Sequence, residues 1–133
     1  MSRYLLDTNA LLLLTLEARS ISVARRDALA QGDRFVSHIS GVEIAIKHSI
    51  GKLNLPSPFQ VGFAHAFGEA VRAVSADMLP LELTHIEALS HLPLHHRDPF
   101  DRLIIAQALV ENLTIVTRDR SFALYPGLDV YEI

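Results

Sequence analysis

The sequence predicts a three-layer α/β/α sandwich built on a mainly parallel sheet. Three observations lead there. Short apolar or β-rich runs alternate along the chain with longer helical segments, the pattern of parallel strands joined by crossover helices. Small polar or acidic residues stand where strands deliver into helices. One segment, Leu103–Leu109, is apolar nearly all the way round at helical spacing, so its helix belongs inside the fold.

Taken in order, Arg3–Leu6 reads as a buried strand ended by Asp7-Thr8-Asn9, and Ala10–Leu16 as a helix capped by Thr8 or Asn9. Ser22–Ala30 is a helix stopped by Gln31-Gly32-Asp33, and Arg34–Ser37 a second strand. Ser40 and Glu43 form a capping box, with Ile39 and Ile44 as its staple; Val42, Ala45, Ile46 and Ile50 give this helix its apolar face and Gly51 ends it. Pro56-Ser57-Pro58 breaks the chain, and Phe59, Phe63, Phe67 and Val71 then follow one another along a helical stripe. A strand near Met78–Leu81 and a short helix over Thr84–His91 come next.

The loop His95-His96-Arg97-Asp98 runs into the buried helix. Pro99 suits its first position, which makes Asp98 the N-cap and Asp101 the third helical residue. Leu113–Thr117 is a strand, Arg118–Ser121 turns into a short helix, and Asp129–Ile133 is a final edge strand.

The 133 residues suffice for one domain with one core, and residues 1–133 are read as such. Cysteine is absent, so there is no disulfide framework and no thiolate metal site. Asp7 interrupts the first apolar run and Leu11–Leu14 is too short to span a bilayer, so neither a secretory signal nor a membrane segment is expected and the chain reads as cytoplasmic. The formal charge of −3 speaks against a nucleic-acid partner at face value. With four acids set aside in one site, however, the 12 Lys and Arg outnumber the remaining acids by one.

Those four acids are Asp7, Glu43, Asp101 and Asp119, each at a strand exit or in a first helical turn. Each also has a plain structural reading: Asp7 as a turn or cap, Glu43 in its capping box, Asp101 favouring the positive end of a helix, and Asp98 beside it as a cap. In an open α/β sheet, ligands bind outside the carboxyl ends of the strands, and all four positions can share that edge. Clustered carboxylates raise one another's pKa and need a counter-charge. All-oxygen ligation suits Mg²⁺ or Mn²⁺ rather than Zn²⁺. A hard divalent ion held this way lowers the pKa of bound water and clamps a phosphate, so metal-dependent phosphoryl chemistry is the direct reading.

Four segments carry a resemblance: Leu5-Leu6-Asp7-Thr8-Asn9; Glu43-Ile44-Ala45-Ile46-Lys47 with Gly51-Lys52-Leu53; His96 through Ala108; and Ile115-Val116-Thr117-Arg118-Asp119. In this order they resemble the PIN-domain nucleases, and most of all the toxins of VapBC toxin–antitoxin pairs. The resemblance implies a PIN-like fold and an Mg²⁺-dependent endoribonuclease, with Mn²⁺ as a substitute. It implies a catalytic and metal-binding set on Asp7, Glu43, Asp101 and Asp119, with Asn9, Asp98 and Thr117 as accessory positions. It further implies an RNA substrate cut by metal-activated water, leaving 5′-phosphate and 3′-OH ends. The implied partners are a cognate antitoxin, which places a basic side chain near the acids, and a second copy in a homodimer. The helix with Phe59, Phe63 and Phe67 and the Val42–Ile50 helix are the candidate surfaces for them. Val42 departs from the pattern, since relatives commonly carry Trp before the Glu.

Other readings fit less of the chain. A phosphatase or phosphotransferase with an aspartyl nucleophile at Asp7 pairs its acids with a late lysine, and here Lys47 and Lys52 are both early. A metal-free binding module would leave the acids as caps. A zinc cluster of His91, His95 and His96 lacks a matching fourth ligand, and a Ser-His-Asp hydrolase lacks the Gly-x-Ser-x-Gly elbow. The histidines are better read as contacting phosphate or as hydrogen-bonding the loop.

Overall fold

A computed structural model describes residues 2–133; Met1 lies outside the described residues. Five strands form one sheet: β1 (Arg3–Leu6), β2 (Asp33–Ser37), β3 (Asp77–Leu79), β4 (Thr114–Thr117) and β5 (Val130–Glu132). Their spatial order is β3-β2-β1-β4-β5, and every pairing is parallel. Leu5 sits between Phe35 and Ile115, and Leu6 between Val36 and Val116. Among the described residues, seven α-helices cover the sheet: α1 (Thr8–Leu16), α2 (Val23–Ala30), α3 (His38–Ser49), α4 (Ser57–Val61), α5 (Phe63–Ala73), α6 (Leu83–Ser90) and α7 (Pro99–Glu111). The α/β sandwich read from the sequence is therefore the fold, and its sheet is parallel throughout.

Side chains alternate across the sheet, so the core has two halves. Leu6, Val36 and Val116 pack with Leu11 of α1, Ile44 of α3 and Phe67 of α5. Leu5 and Ile115 pack with Ile104 and Ile105 of α7 and with Phe122. The helix α3 lies across both halves, giving Ile39 to one and Ile44 to the other. The interior placement expected of the Leu103–Leu109 helix holds, since Ile104, Ile105, Ala106, Gln107 and Ala108 are all buried.

Several local readings change. Asp7 itself caps α1, so the helix begins at Thr8, ahead of the Thr8 or Asn9 cap expected. Ser37 caps α3, not Ser40: the helix starts three residues early and the Ser40–Glu43 capping box does not form. Val42, Ile46 and Ile50 are exposed, and the buried face of α3 carries Ile39, Ser40, Gly41, Glu43 and Ile44. The two polar residues on that face reverse the hydrophobic pattern, because Glu43 lines a cleft and Ser40 meets the Thr8 hydroxyl. The phenylalanine stripe is split at Gly62 between α4 and α5, and β3 comes slightly before Met78–Leu81. The stop at Gly51 holds, with φ of 76° just beyond the end of α3. Asp119 leads into a 3₁₀ turn, Arg120–Leu124.

The chain runs outward from β1 through β2 to β3, then returns to lay β4 on the other side of β1. The connections leaving β1 and β4 run off to opposite sides there, towards β2 and β5, so a crevice opens beyond the carboxyl ends of the two strands. Asp7 marks the spot: its N–H donates across the divide to the Val116 carbonyl at 3.0 Å.

Candidate functional site

A cleft of about 360 Å³ occupies this switch point. Asp7, Glu43, Asp101 and Asp119 all line it, together with Asn9, Asp98 and Thr117. The structure thus brings together every acid and every accessory position read from the sequence. They arrive from separate elements: Asp7 from the end of β1, Glu43 from the second turn of α3, Asp98 and Asp101 from the start of α7, and Asp119 from just beyond β4.

Capping and presentation coincide at three of these acids. Asp7 Oδ1 accepts the Ala10 N–H at 2.7 Å. Asp98 Oδ1 accepts the N–H groups of Phe100 (2.9 Å) and Asp101 (3.4 Å). Asp119 Oδ1 accepts the Ser121 N–H (2.9 Å) and hydroxyl (2.6 Å). One oxygen of each carboxylate is thereby fixed by the backbone, which orients the group. Glu43 is held differently. The Thr8 hydroxyl donates to its Oε1 at 2.6 Å and also lies 2.9 Å from Ser40 Oγ, while Lys47, one helical turn on, pairs with Oε2. Thr117 accepts the Asp119 N–H on its hydroxyl at 3.0 Å.

Burial and like charge set the electrostatics. Burial pushes Asp7 up to about 6; hydrogen bonds from Thr117 and Ala10 oppose this, and the charges of Glu43 and Asp119 add to it. Asp101 is pushed up to about 7, first by burial, then by the charges of Asp98 and Glu43, against the pull of His96. Asp119, the most exposed of the set, is held below the usual carboxylate range by the Ser121 hydroxyl and by His96, with desolvation opposing them.

Two side chains in contact with the site acids, His96 and Lys47, were not read from the sequence as site residues. His96 Nε2 stands 2.8 Å from Asp119 Oδ2 and 3.4 Å from Asp101 Oδ2. The expectation that the histidines would hydrogen-bond the loop holds for His96 only in part, since its main partners are two site acids. Lys47 pairs with Glu43 and lies 3.9 Å from Asp98 Oδ2. Its i,i+4 spacing from Glu43 was the available signal. The zinc reading finds no support: His91 meets Glu87 and His95 packs edge-on against Tyr125, so the three histidines face different partners.

The donor chemistry fits a hard divalent cation. The acids offer carboxylate oxygens, two of them are kept short of full charge by burial and mutual repulsion, and a cation among them would relieve both. Among the described residues, His96, Asp101 and Asp119 bring donor atoms within 4.8 Å of one another. Asp7 and Glu43 line the same cleft as Asp101 and Asp119.

A family model for the PIN domain matches residues 4–128. No curated protein matches the chain. Among solved structures, the fold is similar to that in a VapBC from Rickettsia felis bound to a DNA fragment from its promoter, with a TM-score of 0.72 and 18% identity over 98% of both chains. It is also similar to a DNA-bound VapBC from Salmonella typhimurium, with a TM-score of 0.69 and 18% identity, covering 99% of this chain and 98% of that one. A VapBC from Mycobacterium tuberculosis gives a TM-score of 0.61 and 17% identity over the full length of both chains. At these identities the likeness speaks for the fold.

Proposed function

Because this chain belongs to the PIN-domain family, we propose that it is an endoribonuclease, dependent on Mg²⁺ with Mn²⁺ as a substitute, and the toxin of a toxin–antitoxin pair acting in the cytoplasm. Residues 1–133 are taken as one catalytic unit. The observation that carries the reading is the convergence of Asp7, Glu43, Asp101 and Asp119 on one cleft at the switch point of a parallel sheet.

In this reading the four acids hold the ion, which when bound supplies an activated water and a clamp on the phosphate. The chain's own groups do the rest. Asp7, capped onto Ala10, and Asp101, in the first turn of a buried helix, keep fixed positions at the cleft floor. Thr8 aims Glu43, and Ser121 aims Asp119. His96 Nδ1 lies 3.4 Å from the Asp98 N–H, which leaves the Nε2 proton directed at Asp119 and Asp101. Attack in line on phosphorus by water leaves the 2′-OH unused, so the products carry 5′-phosphate and 3′-OH.

The antitoxin is assigned by likeness to the VapBC assemblies. An apolar groove of about 400 Å³ runs along Gly41, Val42, Ala45, Phe63, Phe67 and Met78, and it suits an amphipathic helix. Gly41 makes the close packing beneath it possible, because a Cβ there would stand 3.0 Å from the Phe67 ring. The exposed outer residues Val42, Ile46 and Ile50 extend the same surface and leave room for a homodimer contact.

The deciding experiment incubates the purified protein with single-stranded RNA in Mg²⁺, in Mn²⁺ and in EDTA, and reads the product ends. Cleavage in either metal, none in EDTA, and 5′-phosphate ends are expected. A 2′,3′-cyclic phosphate, or full activity in EDTA, would overturn the mechanism.

A further inference from the structure

The cleft poses an electrostatic problem for any RNA substrate. Five carboxylates, Asp7, Glu43, Asp98, Asp101 and Asp119, line a site meant to receive a polyanion. The chain has only two lysines, Lys47 and Lys52, and both line this cleft. Among the described residues no arginine lines the cleft, and seven of the ten have partners elsewhere: Arg3, Arg25, Arg34, Arg102 and Arg118 donate to backbone carbonyls, and Arg72 and Arg120 pair with Glu69 and Glu132. Lysine suits a mobile phosphate contact, being a compact charge on a flexible stem.

Lys47 has the better position of the two. It lies one turn beyond Glu43 on α3, pairs with Glu43, and reaches within 3.9 Å of Asp98 Oδ2. Its side chain is 37% exposed while that of Glu43 is 5% exposed, so the ammonium bridges the cleft floor and the solvent. The inner acid and the outer cation therefore share one helix face, with the charge order a phosphodiester approaching from solvent would meet.

We propose that Lys47 is the contact for a phosphate of the RNA substrate, and that in the metal-free protein it is the stand-in cation for Glu43 and Asp98. This assignment rests on the metal-nuclease reading above. When a divalent ion takes up Glu43, the ammonium loses its strongest partner and is left beside the cleft, free to reach a phosphate oxygen. The same residue thus opposes metal binding and favours substrate binding.

Lys47→Met and Lys47→Arg test this, because their effects on metal and on RNA have opposite signs. Mn²⁺ affinity is measured by calorimetry without RNA. RNA affinity is measured by anisotropy in Mn²⁺ with a fluorescein-labelled phosphorothioate RNA, over a KCl series, with RNA integrity checked on a gel. Lys47→Met is expected to bind Mn²⁺ several-fold more tightly and RNA about tenfold more weakly, the loss of one charged hydrogen bond. Its log–log salt slope should be shallower by about 0.7, the value for one phosphate contact on a single strand. Lys47→Arg should restore that slope. An unchanged or weaker Mn²⁺ affinity in Lys47→Met, or an unchanged salt slope, would overturn the assignment. A merely structural Lys47 would lower the melting temperature and leave the slope alone, which also overturns it. Wild-type protein that binds neither Mn²⁺ nor RNA would instead overturn the metal-nuclease reading itself.

Discussion

The Thr8 hydroxyl lies 2.6 Å from Glu43 Oε1, so the first turn of α1 holds the carboxylate that α3 delivers. Both residues are buried, and the contact joins the element leaving β1 to the element leaving β2.

Thr8→Val keeps the side-chain shape and removes the donor. It should cost about 1–2 kcal/mol of stability, because Glu43 is left short of a hydrogen bond. Mn²⁺ affinity should fall about tenfold or more, as for other residues that orient metal ligands. Calorimetry and thermal melts read the two effects separately. Wild-type metal affinity in this variant would confine Thr8 to a structural role.

Asp7→Asn and Asp101→Asn should each abolish RNA cleavage while the metal-free protein stays as stable as wild type or becomes more so. Each removes a ligand and also relieves repulsion, and Asn at position 7 can still accept the Ala10 N–H. Wild-type protein should gain about 2.7 kcal/mol at a metal concentration 100 times Kd, a rise of roughly 10 °C in Tm. Asp7→Asn should blunt that rise. Asp98→Asn should keep much of the activity, because an Asn can still cap Phe100. Loss of activity in Asp98→Asn with retention in Asp101→Asn would reverse the roles given to these two acids.

The metal-free protein should lose stability as pH rises. Burial, aided by neighbouring carboxylates, pushes the folded pKa of Asp7 up to about 6 and that of Asp101 up to about 7, above the ordinary aspartate value of 3.8. Between about pH 4 and 7 the folded chain therefore holds protons that the unfolded chain has released. Stability then falls with pH across this window, by on the order of a few kcal/mol. Asp119 acts oppositely and lower down, its contribution being lost only as pH falls below its ordinary range. Melts in EDTA should give a higher Tm at pH 5 than at pH 8, and saturating Mn²⁺ should narrow or invert the difference. A Tm in EDTA that climbs from pH 5 to pH 8 would contradict the raised carboxyls.

Gln107 is fully buried in α7 and accepts the Ser37 hydroxyl on Oε1 at 2.5 Å, while its amide donates to the Pro80 carbonyl at 3.3 Å. It ties the cap of α3 to the helix that carries Asp101. Gln107→Ala should cost about 2–4 kcal/mol, from lost packing and a stranded Ser37 hydroxyl. Denaturant melts would show the loss as a lower midpoint.

Most of the fold was legible because strand runs such as Arg3–Leu6 and the Asp98-Pro99 helix start obey local rules that packing did not override. Helix α3 was misread for a physical reason. Its apolar residues Val42, Ile46 and Ile50 face outward, and its buried face spends two positions on Ser40 and Glu43. Periodicity assumes that apolar means inward, and a site breaks that assumption. The four acids were legible as element-end carboxylates. His96 as their partner was not, because its contacts with Asp101 and Asp119 depend on how the loop before α7 folds against the end of β4.

The placement of β4 also bears on how the chain comes into being. β1 meets β2 early in synthesis, but its other neighbour is made only after β2, β3 and α7, bringing Asp119 with it. A nascent chain can build α1, β2 and α3 and still lack one wall of the cleft. Parallel pairing across so long a separation is slow to form, and the crevice exists only once it has formed. If the chain cuts RNA as proposed, it cannot do so on the ribosome before β4 has docked and brought Asp119 to the cleft.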